Sequence, residues 1–270
     1  AVDAALWIAR RGSVKLWRTW ANDAPLMKLD ASRLTILFRD EHFVAIDKPR
    51  GLLVHRTDQA RDRTFALQRL RDQIGQRVYA IHRLDRATSG VLVFGLHPEA
   101  ARRLSRRFET RRVSKRYLAV VRGYTQARAL IDYPLADQTP GVARRALTGY
   151  RRLAQVEVPV AVTRYPSSRY SFLEVAPGTG RRHQIRRHFH HIHHPVIGDT
   201  THGEGRHNRY FRDRFEVQRL WLMARSLAFD HPFRERCLEI TAPLDADWQR
   251  LLAAFGWQAA LDLAGSEGPG

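Results

Sequence analysis

One carboxylate among arginines is the strongest candidate for catalysis in this sequence. Asp85 lies in a polar segment between Arg83 and Arg86. A carboxylate flanked by guanidinium groups stays ionised, as a nucleophile or a group that stabilises positive charge has to be. An aspartate with arginine neighbours is more often a structural salt bridge in a turn. The choice between these two interpretations depends on the rest of the chain.

A second concentration of charge follows the segment Pro-Gly-Thr-Gly at residues 177–180. A helix is predicted from residue 181 to residue 193, and its first N–H groups and positive dipole end suit a phosphate or a carboxylate. Arg182 and Arg186 are four residues apart, so this helix would present both on one face. The segment is therefore a predicted anion-binding element.

Short apolar runs predict the elements that hold these residues. An apolar lead-in ends at Ile81 and Gly90 opens a second run, so Asp85 is predicted in a turn between two buried strands. Residues 34–47 predict two strands around a turn at 40–41, and residues 52–55 resume the apolar pattern. The remaining pattern predicts helices over 64–74, 97–110, 181–193 and 245–257, strands over 115–124, 156–164, 170–176, 220–229 and 237–241, and loops over 56–63, 125–150 and 200–216.

Many strands with few crossover helices predict an α+β fold with a mainly antiparallel sheet. The 270 residues are enough for one large domain with its own core. We predict an N-terminal extension over residues 1–33, a single catalytic domain over 34–257, and a flexible tail over 258–270, where Gly, Ser and Pro are frequent.

The charge of the chain predicts a polyanionic partner. The formal net charge is +19 with a pI near 11.2, and only four of the 46 basic residues are Lys. Nucleic acid is the commonest partner of such a surface, and the affinity should fall steeply with salt. A protein of the membrane surface would instead show a basic helix with a broad apolar face, and the one strongly basic helix predicted here has only a narrow apolar stripe.

Compartment and metal content follow from a few residue types. Cys237 is the single cysteine, so an intramolecular disulfide is excluded. Neither a membrane span nor a signal peptide is predicted, and the cytoplasm is the expected location.

His190 and His194 have the spacing of two metal ligands on a helix, but they fall at the predicted helix end among arginines that repel a cation. We predict no metal site and interpret the histidines as RNA-contacting, packing or neutral polar positions.

Four motifs in order resemble the RluA-type pseudouridine synthases. HRLDRATSG at residues 82–90 resembles the catalytic motif of that family, and IDKPRGLLVH at 46–55 resembles the segment before it. KRYLAVVRG at 115–123 resembles the second motif, and GRRHQIRRH at 180–188, followed by HPVIGD, resembles the third. The order and spacing match over roughly residues 34–230. YPSSRYS at 165–171 and GDTTHGEGRHNRYF at 198–211 are most similar to the TruC branch, which modifies uridine 65 of tRNA.

The resemblance implies a pseudouridine synthase catalytic fold, with a mixed, mainly antiparallel sheet, flanking helices and a central basic cleft. It makes Asp85 the catalytic aspartate, Tyr117 the tyrosine that stacks on the target base, and Arg186 the arginine that pairs with the aspartate. Arg83 matches the residue that enters the RNA stack when the uridine flips out. Further RNA contacts are expected from other basic residues of these motifs: Lys48, Arg86, Arg181, Arg182, His183 and Arg187. Met223 stands where relatives usually have His, which keeps an apolar contact there and removes the usual polar one.

Isomerisation of uridine to pseudouridine breaks a C–N bond, turns the base and makes a C–C bond. The reaction needs no redox change and no second reactant, so no cofactor is expected. Flipping the base out of a duplex costs a few kcal/mol, and stacking on an aromatic ring returns about 1–3 kcal/mol. The sequence leaves open whether Asp85 attacks C1′, adds to C6 or removes a 2′ proton.

We therefore expect a monomeric, cytoplasmic RNA pseudouridine synthase that acts on tRNA without a metal or a membrane. An rRNA-specific synthase is one alternative. A non-catalytic RNA-binding protein on the same fold is another, and its binding would not depend on Asp85. A histidine-rich, metal-dependent nuclease is a third, and the scarcity of clustered acids argues against it.

Overall fold

A computed structural model describes residues 33–55, 64–136 and 142–261 of the chain. Except for Arg33, the predicted N-terminal extension lies outside these residues, as does the predicted loop over 56–63. The described residues belong to one compact unit. Its strands are β1 (Thr35–Arg39), β2 (Phe43–Lys48), β3 (Tyr79–Ala80), β4 (Ser89–Gly95), β5 (Val113–Arg122), β6 (Arg128–Asp132), β7 (Leu135–Ala136), β8 (Ala143–Arg144), β9 (Leu147–Val158), β10 (Ser168–Pro177), β11 (Leu222–Asp230) and β12 (Cys237–Thr241). Its helices are α1 (Ala66–Ile74), α2 (Pro98–Glu109), α3 (Gln184–His191), α4 (Gly205–Phe215) and α5 (Ala246–Phe255).

A ten-stranded sheet organises this unit, in the order β1-β2-β4-β11-β5-β10-β9-β6. Strand β3 pairs with β4 and β12 pairs with β11, while β7 and β8 form a separate pair. The pairing of β11 with β4 is parallel and the other strand pairs are antiparallel. The predicted α+β class and mainly antiparallel sheet are confirmed.

The apolar strands bury their side chains on both faces of the sheet. All seven residues of β4, five of the six residues of β2 and half of the residues of β5 are buried. The helix ends follow their local sequence, because Gly75 ends α1 in the left-handed conformation and Asp245 caps α5 by accepting the Trp248 N–H. The packing continues beyond residue 257, since Ala260 is buried and Leu261 packs against the core.

Glycine at position 90 fixes where the Asp85 turn leaves the sheet. Gly90 has a φ of +111° and pairs with Ala224 of β11. A Cβ at this position would lie 2.1 Å from the Ala224 carbonyl oxygen. Only a residue without a side chain allows β4 and β11 to approach here. The segment before β4, which carries Asp85, therefore emerges at the middle of the sheet.

Several predicted loops and strands are wrong. The predicted loop over 125–150 contains β6, β7, β8 and the start of β9. The predicted strand over 156–164 ends at Val158. Residues 52–55 form no strand, and the Leu53 and Val54 carbonyls instead accept N–H groups at the start of α1.

Two helix predictions are also corrected. The predicted loop over 200–216 contains α4, whose His207, Phe211 and Phe215 are buried at intervals of four residues. The helix predicted over 181–193 spans only Gln184–His191. Among the described residues, no helix is long and apolar enough to cross a membrane.

Candidate active site

A basic cleft of about 530 Å³ opens where the Asp85 turn, the end of α2, strand β5 and the segment before α3 meet. Six arginines and lysines line it against two acidic side chains, Asp85 and Glu109. This is the predicted central basic cleft. The predicted site residues that line it are Arg83, Asp85, Tyr117, Arg181, Arg182, His183 and Arg186.

An ion pair between two distant parts of the sequence lies in this cleft. Arg186 Nη1 donates a hydrogen bond to Asp85 Oδ2 over 3.3 Å. The Asp85 side chain is 20% exposed, whereas the Arg186 side chain is 7% exposed. The guanidinium is thus fixed inside the protein, and the carboxylate remains open to a molecule in the cleft.

A second carboxylate, Asp199, holds the other side of the same guanidinium. Its Oδ2 and Oδ1 accept hydrogen bonds from Arg186 Nε and Nη2 over 2.7 and 2.6 Å, and its side chain is 1% exposed. Backbone N–H groups of Thr201 and His202 donate to the same carboxylate. Burial raises the pKa of Asp199, but the hydrogen bonds from Arg186 and His202 outweigh burial and lower it. Asp199 therefore orients Arg186 toward Asp85.

Sequence reasoning did not identify Asp199 as a site residue. The signal was its position after Gly198 at the end of the apolar segment 196–198. Gly198 has a φ of +79°, and a Cβ there would lie 1.7 Å from the Arg219 carbonyl oxygen. This close approach sets the backbone that presents Asp199 to Arg186.

Strand β5 carries Tyr117 into the cleft. The ring is partly buried and packs against two clusters of the apolar core. Burial and the charge of Asp85 both raise the pKa of Tyr117, so its hydroxyl stays protonated. Leu222 of β11 lines the same cleft, and the two side chains form an apolar wall.

The neighbour of Leu222 has a different environment. Met223 is buried in the main apolar core and pairs with Ser89 of β4. It is not part of the cleft lining. The apolar contact that this strand makes with the cleft comes from Leu222.

The prediction that Lys48 contacts RNA is wrong, because this side chain is fully buried. Lys48 Nζ donates to the carbonyl oxygens of Pro49 and Leu52 over 2.8 Å, and to that of Arg86 over 3.3 Å. Burial lowers the pKa of Lys48 to about 7, against the opposing effect of Asp85 and Asp47. The ammonium thus ties the turn after β2 to the residue that follows Asp85.

Two other predicted RNA contacts lie outside the cleft lining. Arg86 Nε donates to the Gly51 carbonyl over 3.0 Å, and Arg187 Nη1 donates to the Ala136 carbonyl over 3.0 Å. The predicted shared helical face of Arg182 and Arg186 is also wrong, since α3 begins only at Gln184. Arg182 reaches the cleft from the turn before the helix.

A pair of histidines lies beside Asp85. His183 Nε2 is 3.9 Å from Asp85 Oδ2, and His183 Nδ1 is 3.0 Å from His202 Nε2. Burial lowers the pKa of both histidines, while Asp85 opposes this effect on His183 and Asp199 opposes it on His202.

Three other histidines of this region contact neighbouring segments of the chain. His188 and His194 make ring-nitrogen hydrogen bonds to the Tyr133 and Arg122 carbonyls over 3.0 and 2.8 Å. His191 stacks on Tyr133 with ring centres 3.6 Å apart. Within residues 33–55, 64–136 and 142–261, no three His, Cys, Asp or Glu side chains form a group suited to a metal ion.

This chain is similar in sequence and in fold to known RNA pseudouridine synthases. Residues 42–191 match a family model described as RNA pseudouridylate synthase. A tRNA pseudouridine synthase C of Vibrio cholerae serotype O1 is 46% identical over 239 residues, which cover 84% of this chain and 98% of that protein. The protein of the same name in Pectobacterium carotovorum is 48% identical over 239 residues, and the match spans 84% of this chain but 64% of that protein's length. The solved structure of human RNA pseudouridylate synthase domain containing 1 has 26% identity and a TM-score of 0.64, covering 88% of this chain and 98% of that one.

Proposed function

The chain belongs to the RNA pseudouridylate synthase family, and on this premise we propose that it isomerises uridine 65, in the T stem of tRNA, with Asp85 as the essential residue. The enzyme is an isomerase that acts on RNA. The observation that carries the proposal is the Asp85–Arg186 pair, which presents an open carboxylate in a basic cleft.

The target uridine enters the cleft as a flipped nucleotide. Its base stacks on the Tyr117 ring and contacts Leu222, while Arg83 fills the gap that the base leaves in the RNA. Exposed Arg182 binds a phosphate of the flanking strand. Stacking of about 1–3 kcal/mol and phosphate contacts offset the few kcal/mol that flipping costs.

The ribose or the base of the flipped nucleotide then meets the Asp85 carboxylate. Attack on C1′, addition to C6 and removal of a 2′ proton all start from the ionised form. Arg186 donates a hydrogen bond to this carboxylate, and the guanidinium stays protonated throughout. Asp199 accepts hydrogen bonds from Nε and Nη2 of Arg186, and this arrangement directs Nη1 at Asp85.

The choice of tRNA is supported by the names of the relatives and by the two segments that resemble the TruC branch. We also propose that the enzyme acts as a monomer, because Asp85, Arg186 and Asp199 of a single chain form the ion-pair network of the site. The location of tRNA substrates supports a cytoplasmic enzyme.

The test is the reaction itself. Purified protein is incubated at low salt with tRNA transcribed without modifications, and in parallel with an rRNA transcript. Chemical mapping of pseudouridine should identify position 65 of the tRNA. Modification of the rRNA alone would contradict the choice of tRNA, and absence of pseudouridine from both RNAs would contradict the enzymatic function.

A further inference from the structure

We propose that His183 is the base that removes the proton from C5 of the target base, and that His202 orients His183 and carries this proton toward solvent. The inference rests on the proposed function, because it assigns a group to one step of that reaction. It goes beyond an RNA contact for His183, since it gives the side chain a part in bond breaking.

The reaction requires a proton acceptor at C5. When C1′ of the ribose bonds to C5 of the base, C5 still carries its hydrogen. The C5–H bond must then break, and its electron pair returns to the ring while N1 gains a proton. The proton lost from C5 is balanced by the proton gained at N1, so the number of protons is unchanged over the whole reaction. A group in the cleft nevertheless has to accept the proton that leaves C5.

Most titratable groups of the cleft are unsuited to this task. The five arginines of the lining do not deprotonate in proteins, and the raised pKa of Tyr117 keeps its hydroxyl protonated. His82 Nε2 already accepts the Val93 N–H over 3.1 Å, and burial lowers the pKa of His82 to about 3.

Lysine and glutamate in the cleft are no better placed. Burial lowers the pKa of Lys115 to about 8, but its ammonium donates to the Thr179 carbonyl over 3.1 Å. Glu109 is exposed at the last position of α2. Asp85 itself is occupied with the nucleotide. His183 is the remaining titratable side chain of the cleft lining.

The geometry of His183 fits a base that works beside Asp85. Its Nε2 lies 3.9 Å from Asp85 Oδ2, so both groups face one nucleotide. Its Nδ1 lies 3.0 Å from His202 Nε2. With Nδ1–H donated to His202, Nε2 presents its lone pair to the cleft. A proton taken at Nε2 can then leave from Nδ1 to His202, whose partly exposed ring reaches solvent.

The charges around His183 favour its neutral form. Burial lowers its pKa, and Arg186, His202 and Arg182 act in the same direction, while Asp85 opposes them. The groups that face His202 act similarly on its pKa: Arg186, Arg187 and His190 lower it, and Asp199 raises it. The balance lowers both pKa values below the ordinary histidine value, so at neutral pH both rings are able to accept a proton.

The backbone offers a matched pair of variants. His183 has a φ of +53° and His193 has a φ of +61°, so both are histidines in the left-handed conformation. His193 is exposed and does not line the cleft. Asparagine tolerates this backbone conformation better than most residues, so His183→Asn and His193→Asn should both fold.

The experiment compares these variants in single turnovers on tRNA that contains ordinary or 5-deuterated uridine. His183→Asn should slow pseudouridine formation by about 10²–10⁴-fold, the usual contribution of a general base. It should also show a primary isotope effect, because C5–H cleavage then limits the rate, whereas His193→Asn should behave as wild type.

The pH dependence gives a second readout. A base acts only when it is unprotonated, so the wild-type rate should fall as the pH drops through the lowered pKa of His183. His183→Asn should lack this acid limb. Equal rates for deuterated and ordinary substrate in His183→Asn, or an unchanged acid limb, would overturn the inference.

His202 is tested by His202→Gln, which can still accept the His183 N–H but cannot carry a proton. A slower turnover is expected, and an unchanged rate would overturn the proton-carrying role. If wild-type protein forms no pseudouridine at all, the proposed function fails. If wild-type protein is active and His183→Asn is equally active, the proposed function stands and only the role of His183 fails.

Discussion

Asp199 holds Arg186 through two parallel hydrogen bonds of 2.6 and 2.7 Å at a position that solvent barely reaches. The same guanidinium then has one N–H group directed at Asp85. Two carboxylates therefore share one arginine and differ in exposure, at 1% for Asp199 and 20% for Asp85. The buried carboxylate fixes the arginine, and the open one is free for chemistry.

Removal of the Asp199 charge should destabilise the protein. Loss of one partner of a buried ion pair costs about 3–5 kcal/mol, because the other charge is left without compensation. Asp199→Ala leaves Arg186 only the longer hydrogen bond to Asp85, so it should lower the free energy of unfolding by up to about this amount in urea denaturation. Asp213, exposed and paired with Arg212 over 3.2 Å, provides the control, and Asp213→Ala should change the stability little. Equal effects of the two variants would contradict the role of Asp199.

Lys48 and Arg182 should differ in how they affect the salt dependence of RNA binding. Lys48 is buried against three carbonyls, so Lys48→Met should reduce stability and turnover but leave the salt slope unchanged. Arg182 is exposed in the cleft, and Arg182→Gln should reduce the slope of log affinity against log salt by about 1. Filter binding over a series of salt concentrations measures both slopes. A reduced slope of log affinity against log salt in Lys48→Met would show that Lys48 does contact RNA.

The Tyr117 ring should contribute to RNA binding by stacking. Tyr117→Ala should weaken binding of substrate tRNA by about 1–3 kcal/mol, because a flipped base loses its aromatic partner. Tyr117→Phe keeps the ring and should bind like wild type. Equilibrium binding, measured in an Asp85→Asn background to prevent turnover, separates the two. Similar affinities for the Ala and Phe variants would show that no base stacks on this ring.

Gly198 should tolerate no side chain. Gly198→Ala combines a φ of +79° with a Cβ placed 1.7 Å from the Arg219 carbonyl oxygen, so the backbone before Asp199 has to move. We expect a loss of more than about 1 kcal/mol in unfolding free energy, together with lower activity. Gly205 has open space around its Cβ position, and Gly205→Ala should leave both properties intact. Thermal unfolding and single-turnover rates provide the comparison.

The strands around the site were predictable because their signal is local. Strands β4, β5 and β11 are short apolar runs bounded by turn residues, and the pairing of Arg186 with Asp85 followed from the resemblance of two motifs. Helix α4 was missed because arginines and other polar residues outnumber its three buried side chains. Its apolar face is therefore hard to recognise in the sequence.

Burial and distant partners explain the remaining errors. Lys48 was expected at the RNA surface because of its charge, but its three acceptors come from backbone that folds around it, including Arg86 far along the chain. The role of Asp199 depends on the return of the chain past α3, which brings two segments with no shared pattern onto Arg186. Such contacts depend on tertiary structure and leave no local periodicity.

Conversion of tRNA by wild-type protein and by Asp85→Asn tests the central claim most directly. Both proteins are incubated with unmodified tRNA, pseudouridine is mapped at each position, and binding of the same tRNA is measured in parallel. Wild type should convert uridine 65, and Asp85→Asn should bind the tRNA with similar affinity but form no pseudouridine. Pseudouridine formation by Asp85→Asn at a rate near that of wild type would contradict the account.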